Sequence, residues 1–198
     1  LNEILELVGD RKRARIMEAA LKLALAYGYS RTTMDDIARA AEMSRPALYL
    51  LFKNKTELYR EIAALTMQGC IETTRRALMA GGSFCEKLER AINEAMFECL
   101  RPFTESPHGI ELLDLKNSLA ADLVENFRCK TCALFAETVR EEADANGVNL
   151  AKLGLSPEKI AATLMDALEG LRLRLPDVEA RQEAATALVK IVSRALRA

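Results

Sequence analysis

Thr33-Met34-Asp35-Asp36-Ile37-Ala38-Arg39-Ala40-Ala41-Glu42-Met43-Ser44-Arg45-Pro46-Ala47-Leu48-Tyr49-Leu50-Leu51-Phe52-Lys53-Asn54-Lys55 reads as two short helices and the turn between them. Thr33 is an N-cap residue, and Asp36 three positions on completes a capping-box pattern whose carboxylate also suits the positive end of the helix dipole. Met34, Ile37, Ala38 and Ala41 then fall at i, i+3, i+4 and i+7, the spacing of one buried stripe. Ser44 caps the next helix, and Pro46 falls in its first turn, where a missing N–H costs little. A turn of only a few residues between helices 33–41 and 44–51 is the layout of a helix-turn-helix. On a wheel of about 100° per residue, Ala47, Leu48 and Leu51 gather on one side of the second helix. Arg45, Pro46, Tyr49 and Lys53 take the other side. A helix that merely covers a core would carry Glu, Lys and Gln outward; this one presents a guanidinium, a ring and a phenol.

Helical spacing continues in both directions. Upstream, Ile16, Ala20, Leu23, Ala24 and Tyr27 form one face of a helix over 11–27, which Gly28 ends in a left-handed cap. Downstream, a long helix is expected from about Lys55 to Met79, and Gly81-Gly82 breaks it. Ser83 and Glu86 open a helix to Leu100, and Arg101 to Gly109, with two Pro and one Gly, reads as a connection. Helix returns from Ile110 to about Ala145, with an interruption near Asn117, and stops at Asn146-Gly147. Ser156-Pro157-Glu158 starts another, and Pro176-Asp177 separates the final two. Leu171-Arg172-Leu173-Arg174-Leu175 alternates like a strand but is read as a helix end. The expected fold is all-α, about nine helices, with a helix-turn-helix domain at 9–62 and a larger helical domain at 63–198.

Half of the 198 residues are hydrophobic, enough for a sizeable core, and the formal net charge is only -1. That average hides a local excess. Residues 11–60 carry eleven Lys and Arg against five Asp and Glu, and the remainder is correspondingly acidic. A basic quarter on an acidic body suits a DNA reader with a second module, although a Lys/Arg cluster is also what a solvated helix face looks like. Arg45 near the start of the second short helix matches the two acceptors of guanine in the major groove. Tyr49 can donate to a phosphate, and Thr33 and Lys55 stand at helix starts that favour anions. The competing roles are a half-buried ring packed on the first helix for Tyr49 and an ordinary solvated cation for Lys55.

Arg15-Ile16-Met17-Glu18-Ala19-Ala20, Tyr27-Gly28-Tyr29 and Thr32-Thr33-Met34-Asp35-Asp36-Ile37-Ala38 resemble the start of the TetR family of transcriptional regulators. Ser44-Arg45-Pro46-Ala47-Leu48-Tyr49 followed by Phe52-Lys53-Asn54-Lys55 resembles that family's recognition helix and the start of its fourth helix. The likeness covers about a quarter of the chain, in order and without a gap. It implies that Thr33, Tyr49 and Lys55 hold phosphates, that Arg45, Pro46 and Ala47 approach bases, and that Ser44 belongs to the same DNA-binding set. Leu50-Leu51 departs from the polar and aromatic residues many members carry there. Leu51 takes a core place, and Leu50 cannot donate to a phosphate.

The resemblance further implies a homodimer on a palindromic double-stranded DNA operator, released by a small-molecule effector that changes the separation of the two halves. Ile160, Leu164, Leu168, Leu171 and Leu175 form one apolar stripe and Leu188, Ile191, Val192 and Ala195 another. Both are expected at the dimer interface, the alternative being the protomer's own core. Gly170 inside the first of these helices costs about 1 kcal/mol against Ala, which a close helix approach would justify. Phe84, Met96, Phe97, Phe103, Phe127, Phe135 and Met165 could line an apolar effector pocket, although such residues at helical spacing are also plain core. His108, between Pro107 and Gly109, is expected at the surface.

Cys129 and Cys132, three apart on one helix face, support an alternative reading as a redox or metal protein. A zinc site wants two further ligands, and a thioredoxin-type motif wants a βαβ unit, so neither is expected. The five cysteines are read as free thiols in a cytoplasmic protein, since no signal peptide or membrane span is apparent. With no Met at position 1, the recorded N-terminus is expected to be trimmed. No phosphate loop, Ser-His-Asp set or carboxylate pair stands out, so neither an enzyme nor a cofactor is expected.

Overall fold

The computed structural model describes residues 9–113, 120–175 and 177–197. Among them are helices and no strand: α1 (Arg11–Tyr27), α2 (Met34–Ala40), α3 (Arg45–Leu51), α4 (Lys55–Met79), α5 (Phe84–Ile92), α6 (Arg101–Thr104), α7 (Ala121–Ala145), α8 (Pro157–Arg174) and α9 (Val178–Ala195). The all-α expectation holds, and the helix boundaries in the first 80 residues lie within a residue or so of those expected. Two details differ further on: Arg101–Thr104, expected as part of a connection, forms the short helix α6, and the helix before it is not uniform. The helix from Ser83 changes at Asn93–Glu98 into a π-helical turn. The interruption expected near Asn117 and the role of Pro176 lie outside the described residues.

The start signals work as their chemistry requires. Thr33 Oγ1 accepts from the Asp36 N–H at 3.2 Å, while Asp36 Oδ2 accepts from the Thr33 N–H at 3.0 Å. The Thr33 hydroxyl also donates to Asp36 Oδ2 at 2.6 Å, and this bond first, with the Thr33 N–H second, holds the Asp36 carboxyl below its usual range. Ser83 and Glu86 repeat the arrangement at α5. Ser44 Oγ accepts from Ala47 N–H at 3.3 Å, and Asp177 from Ala180 N–H at 2.7 Å. Gly28 does close α1, but at φ 91°, ψ 149°, a positive-φ extended conformation that only glycine adopts readily, rather than the compact left-handed cap. Gly109 answers a different need: a Cβ there would stand 1.7 Å from the Phe103 carbonyl oxygen.

The chain forms two compact units: residues up to Cys70 with Cys99–Glu125, and Ile71–Glu98 with Asn126–Ala198. The division expected at 62/63 falls inside α4. In the first unit α1 packs on α2 and α2 on α3, around Ile16, Met17, Leu21, Ile37, Leu48, Phe52 and Leu58. In the second, α9 packs on α5 and α8, around Leu88, Ile92, Phe135, Val139, Met165 and Leu168.

Two sequence expectations are corrected by this packing. Leu164 and Leu168 are sealed in the protomer's own core, so no surface of either is left for a partner. The cysteines are not all free, because Cys70 on α4 and Cys99 form a disulfide across a separation of 29 residues, leaving Cys85, Cys129 and Cys132 as thiols. Alkylation of the denatured, unreduced chain followed by mass measurement should therefore label three cysteines, and all five after reduction. Five labels without reductant would contradict the pairing.

Candidate nucleic-acid interface

α3 is seven residues long and is held from one side. Leu48 is 0 % exposed and Phe52 closes the helix within the same core. The opposite flank is open: Ser44, Arg45, Pro46, Tyr49 and Leu50 are exposed, Tyr49 to 39 % and Leu50 to 87 %. Ala47 is half-buried, on the boundary between the two sides. The Arg45 guanidinium donates to Asp35 of α2 at 3.1 Å and lies 5.5 Å over the Tyr49 ring. Asp35 and the phenol ring thus hold the cation in position on the open flank, where at 63 % exposure it stays accessible. Thr33 and Lys53 are exposed beside it.

The eleven cations counted in residues 11–60 do not all face outward. Arg15 donates to the carbonyl of Ala41, the last-turn cap of α2, with Nε at 2.8 Å. Arg13 donates to the Leu51 carbonyl at the end of α3 at 3.0 Å, pairs with Glu61 and lies 4.3 Å over the Phe52 ring. Both guanidinium groups meet the negative end of a short helix, where a cation stabilises the dipole and an orphan carbonyl at once. Sequence reasoning counted these arginines as part of the basic patch and missed this role. Their positions one and three residues before Ile16, on the wheel of α1, were the available signal.

Lys55 also departs from the expected role. Its ammonium donates to the carbonyls of Tyr29 and Thr32 at 2.8 and 3.0 Å and lies 4.1 Å over the Tyr29 ring. Burial lowers its pKa, partly offset by the Glu111 carboxylate. It thus ties the start of α4 to the loop that precedes α2, with at most one N–H left to point outward.

The expected pocket residues do not form one group. Phe103 lies in the first unit, beside a cavity of about 50 Å³ lined by Leu21, Tyr59, Ile62, Leu112 and Leu113. That holds a few water-sized groups, not a ligand needing roughly 300 Å³ or more. Phe84, Phe135 and Met165 are buried in the core of the second unit, with Met96, Phe97 and Phe127 packed half-buried against it. Between Phe127 and Phe135 on α7 stands Thr131, whose Oγ1 is buried with no hydrogen-bond partner among the described residues. On α8 and α9, Ile160, Leu171, Leu188, Val192 and Ala195 are half-buried, and Ile191 is 64 % exposed. Leu173, which sequence reasoning left out, is 75 % exposed. Gly170 has open space where a side chain would stand, so no close approach within the protomer explains it.

Cys129 is exposed and Cys132 half-buried, and burial pushes the Cys132 thiol up, away from the thiolate that redox or metal chemistry needs. No group of three His, Cys, Asp or Glu gathers as a metal site among the described residues. His108 is half-exposed and lies 3.4 Å from Glu111. No helix among the described residues is long and apolar enough to cross a membrane.

Comparison with known proteins meets this geometry at the same residues. Residues 16–62 match the tetR family of bacterial regulatory proteins. The chain is 36 % identical over 83 residues to YhgD, an HTH-type transcriptional regulator of Bacillus subtilis, covering 42 % of this chain and 43 % of that one. It spans less than half the length of the sequence relatives it matches in this way. Among solved structures it resembles the TetR family transcriptional regulator PfmR of Thermus thermophilus, with TM-score 0.62, 25 % identity and coverage of 93 % and 98 % of the two chains. It also has the fold of SmeT, the repressor of the Stenotrophomonas maltophilia efflux pump SmeDEF, with TM-score 0.63 at 17 % identity and coverage of 92 % and 89 %.

Replacing Lys55 by Met should lower stability by about 1–3 kcal/mol, because two carbonyls lose their donor. Thermal unfolding checks this. An unchanged melt, with loss only of salt-dependent affinity for DNA, would instead make Lys55 a phosphate contact.

Proposed function

We propose, from the match of residues 16–62 to the tetR family of bacterial regulatory proteins, that the chain is a homodimeric transcriptional repressor whose α3 enters the major groove of a near-palindromic operator. The observation that carries this is the open flank of α3. A helix fixed by Leu48 and Phe52 leaves Arg45, Pro46 and Tyr49 exposed, with Arg45 held by Asp35 and by the Tyr49 ring. Arg45 donates to guanine, with Pro46 and Ala47 against neighbouring bases. Ser44, Thr33 and Tyr49 lie along the phosphates, and the DNA-binding part is residues 9–62. The protein acts in the cytoplasm, and its role is regulatory rather than enzymatic.

Dimerisation uses the outer side of α8 and α9. Leu173 and Ile191 are the exposed apolar groups there, with Leu171, Leu188 and Val192 at their margin. A helix-interior glycine facing open space supports a close approach by a second copy. The effector is an apolar or amphipathic small molecule bound in the second unit. The unpartnered Thr131 hydroxyl between two phenylalanines supports a ligand carrying one hydrogen-bonding group. Effector binding shifts the dimer toward a state whose two recognition helices no longer match successive major grooves about 34 Å apart.

Selection of bound genomic fragments, followed by titration of the recovered sequence, tests the reading. Arg45→Ala should cost about 1–3 kcal/mol on that sequence and relax its preference at one position, with little effect on random DNA. Equal losses on both would remove Arg45 from base recognition.

A further inference from the structure

Four-residue spacing divides the open flank of α3 into two ridges. Arg45 and Tyr49 make one, with the guanidinium over the ring. Pro46 and Leu50 make the other, and both are exposed. Taken alone an exposed leucine needs no explanation. Leu50 is different in its surroundings: it stands 87 % exposed at the Pro46 margin of the open side that carries Arg45 at its other margin, with Lys53 exposed one turn on, inside the segment whose charge excess suits a polyanion. That charge complementarity favours DNA over an apolar protein surface as its occupant.

Leu50 can neither donate nor accept a hydrogen bond. Against a phosphate or the polar edge of a base pair it would only displace water from groups it cannot satisfy. The major groove offers one group that an apolar side chain does favour, the 5-methyl of thymine. We propose that Leu50, flanked by Pro46, is a specificity-determining residue that reads a thymine 5-methyl group in each operator half-site. Leu50 lies five residues beyond Arg45, about 7.5 Å along the helix axis, so its thymine falls within about two base-pair steps of the base pair Arg45 meets. This rests on the reading of α3 as the groove-binding helix.

Uracil differs from thymine by that methyl group alone, which makes the test direct. In a half-site recovered by selection, each thymine is replaced singly by deoxyuridine, and binding is titrated by fluorescence anisotropy with the intact protein and with Leu50→Ala. The intact protein should lose about fourfold in affinity at one thymine per half-site, the worth of one buried methylene-sized group. Leu50→Ala should bind the thymine and uracil forms equally, and its thermal unfolding should match that of the parent, since an exposed side chain is removed. Indifference of the intact protein to every uracil, a half-site without thymine under α3, or undiminished uracil sensitivity in Leu50→Ala would each overturn the proposal. In those cases salt-dependent binding to the fragment leaves the groove-binding reading standing. Absence of salt-dependent binding to any fragment overturns both.

Discussion

A seven-residue helix has too few internal hydrogen bonds to persist in water by itself, so α3 exists because Leu48 and Phe52 are buried against α1 and α2. Truncating a buried leucine of this kind to alanine costs about 2–5 kcal/mol, a large part of the roughly 5–15 kcal/mol that holds a domain together. That single attachment also determines direction. With Leu48 inward, the side running from Arg45 through Tyr49 to Pro46 is left open, and Arg45 and Tyr49 share a flank because they stand four residues apart, one turn above the other. The position of the flank is then refined by charged groups, with Arg13 and Arg15 holding the carbonyl ends of α3 and α2.

This arrangement changes how the basic N-terminal quarter is understood. Of its cations, Arg13, Arg15 and Lys55 serve carbonyls of their own chain, and Arg39 pairs with Asp36 at 3.2 Å. Fewer residues than the composition suggests are therefore left to attract a polyanion such as the proposed operator. Arg45 is the one in which position and chemistry converge: Asp35 and Tyr49 restrain it without burying it. Beside it, Leu50 contributes shape and an apolar surface rather than charge.

The parts of the fold governed by local chemistry were legible in the sequence. Capping patterns at Thr33, Ser44, Ser83 and Ser156 each begin a helix, because a side-chain oxygen three residues before a free N–H is a local device. What was not legible depended on distant partners. Cys70 and Cys99 pair through the packing of α4 near the start of α6, not through any spacing motif. Leu164 and Leu168 share an apolar stripe with Leu171, and periodicity alone does not tell which part of a stripe faces the core and which faces outward. Lys55 stands at a helix start, which the local pattern shows, but the carbonyls of Tyr29 and Thr32 come from more than twenty residues away. The aromatic residues offered as one pocket divide between two units for the same reason.

The central claim is that the Arg45–Tyr49 flank of α3 lies against the major groove. Interference by N7-methylation of guanine on a selected DNA fragment tests it most directly, because that modification adds a methyl group where a recognition-helix arginine would donate. Interference at guanines in two half-sites about 34 Å apart, lost at those positions in Arg45→Ala, is the result expected. Binding that is insensitive to N7-methylation throughout the fragment would contradict it.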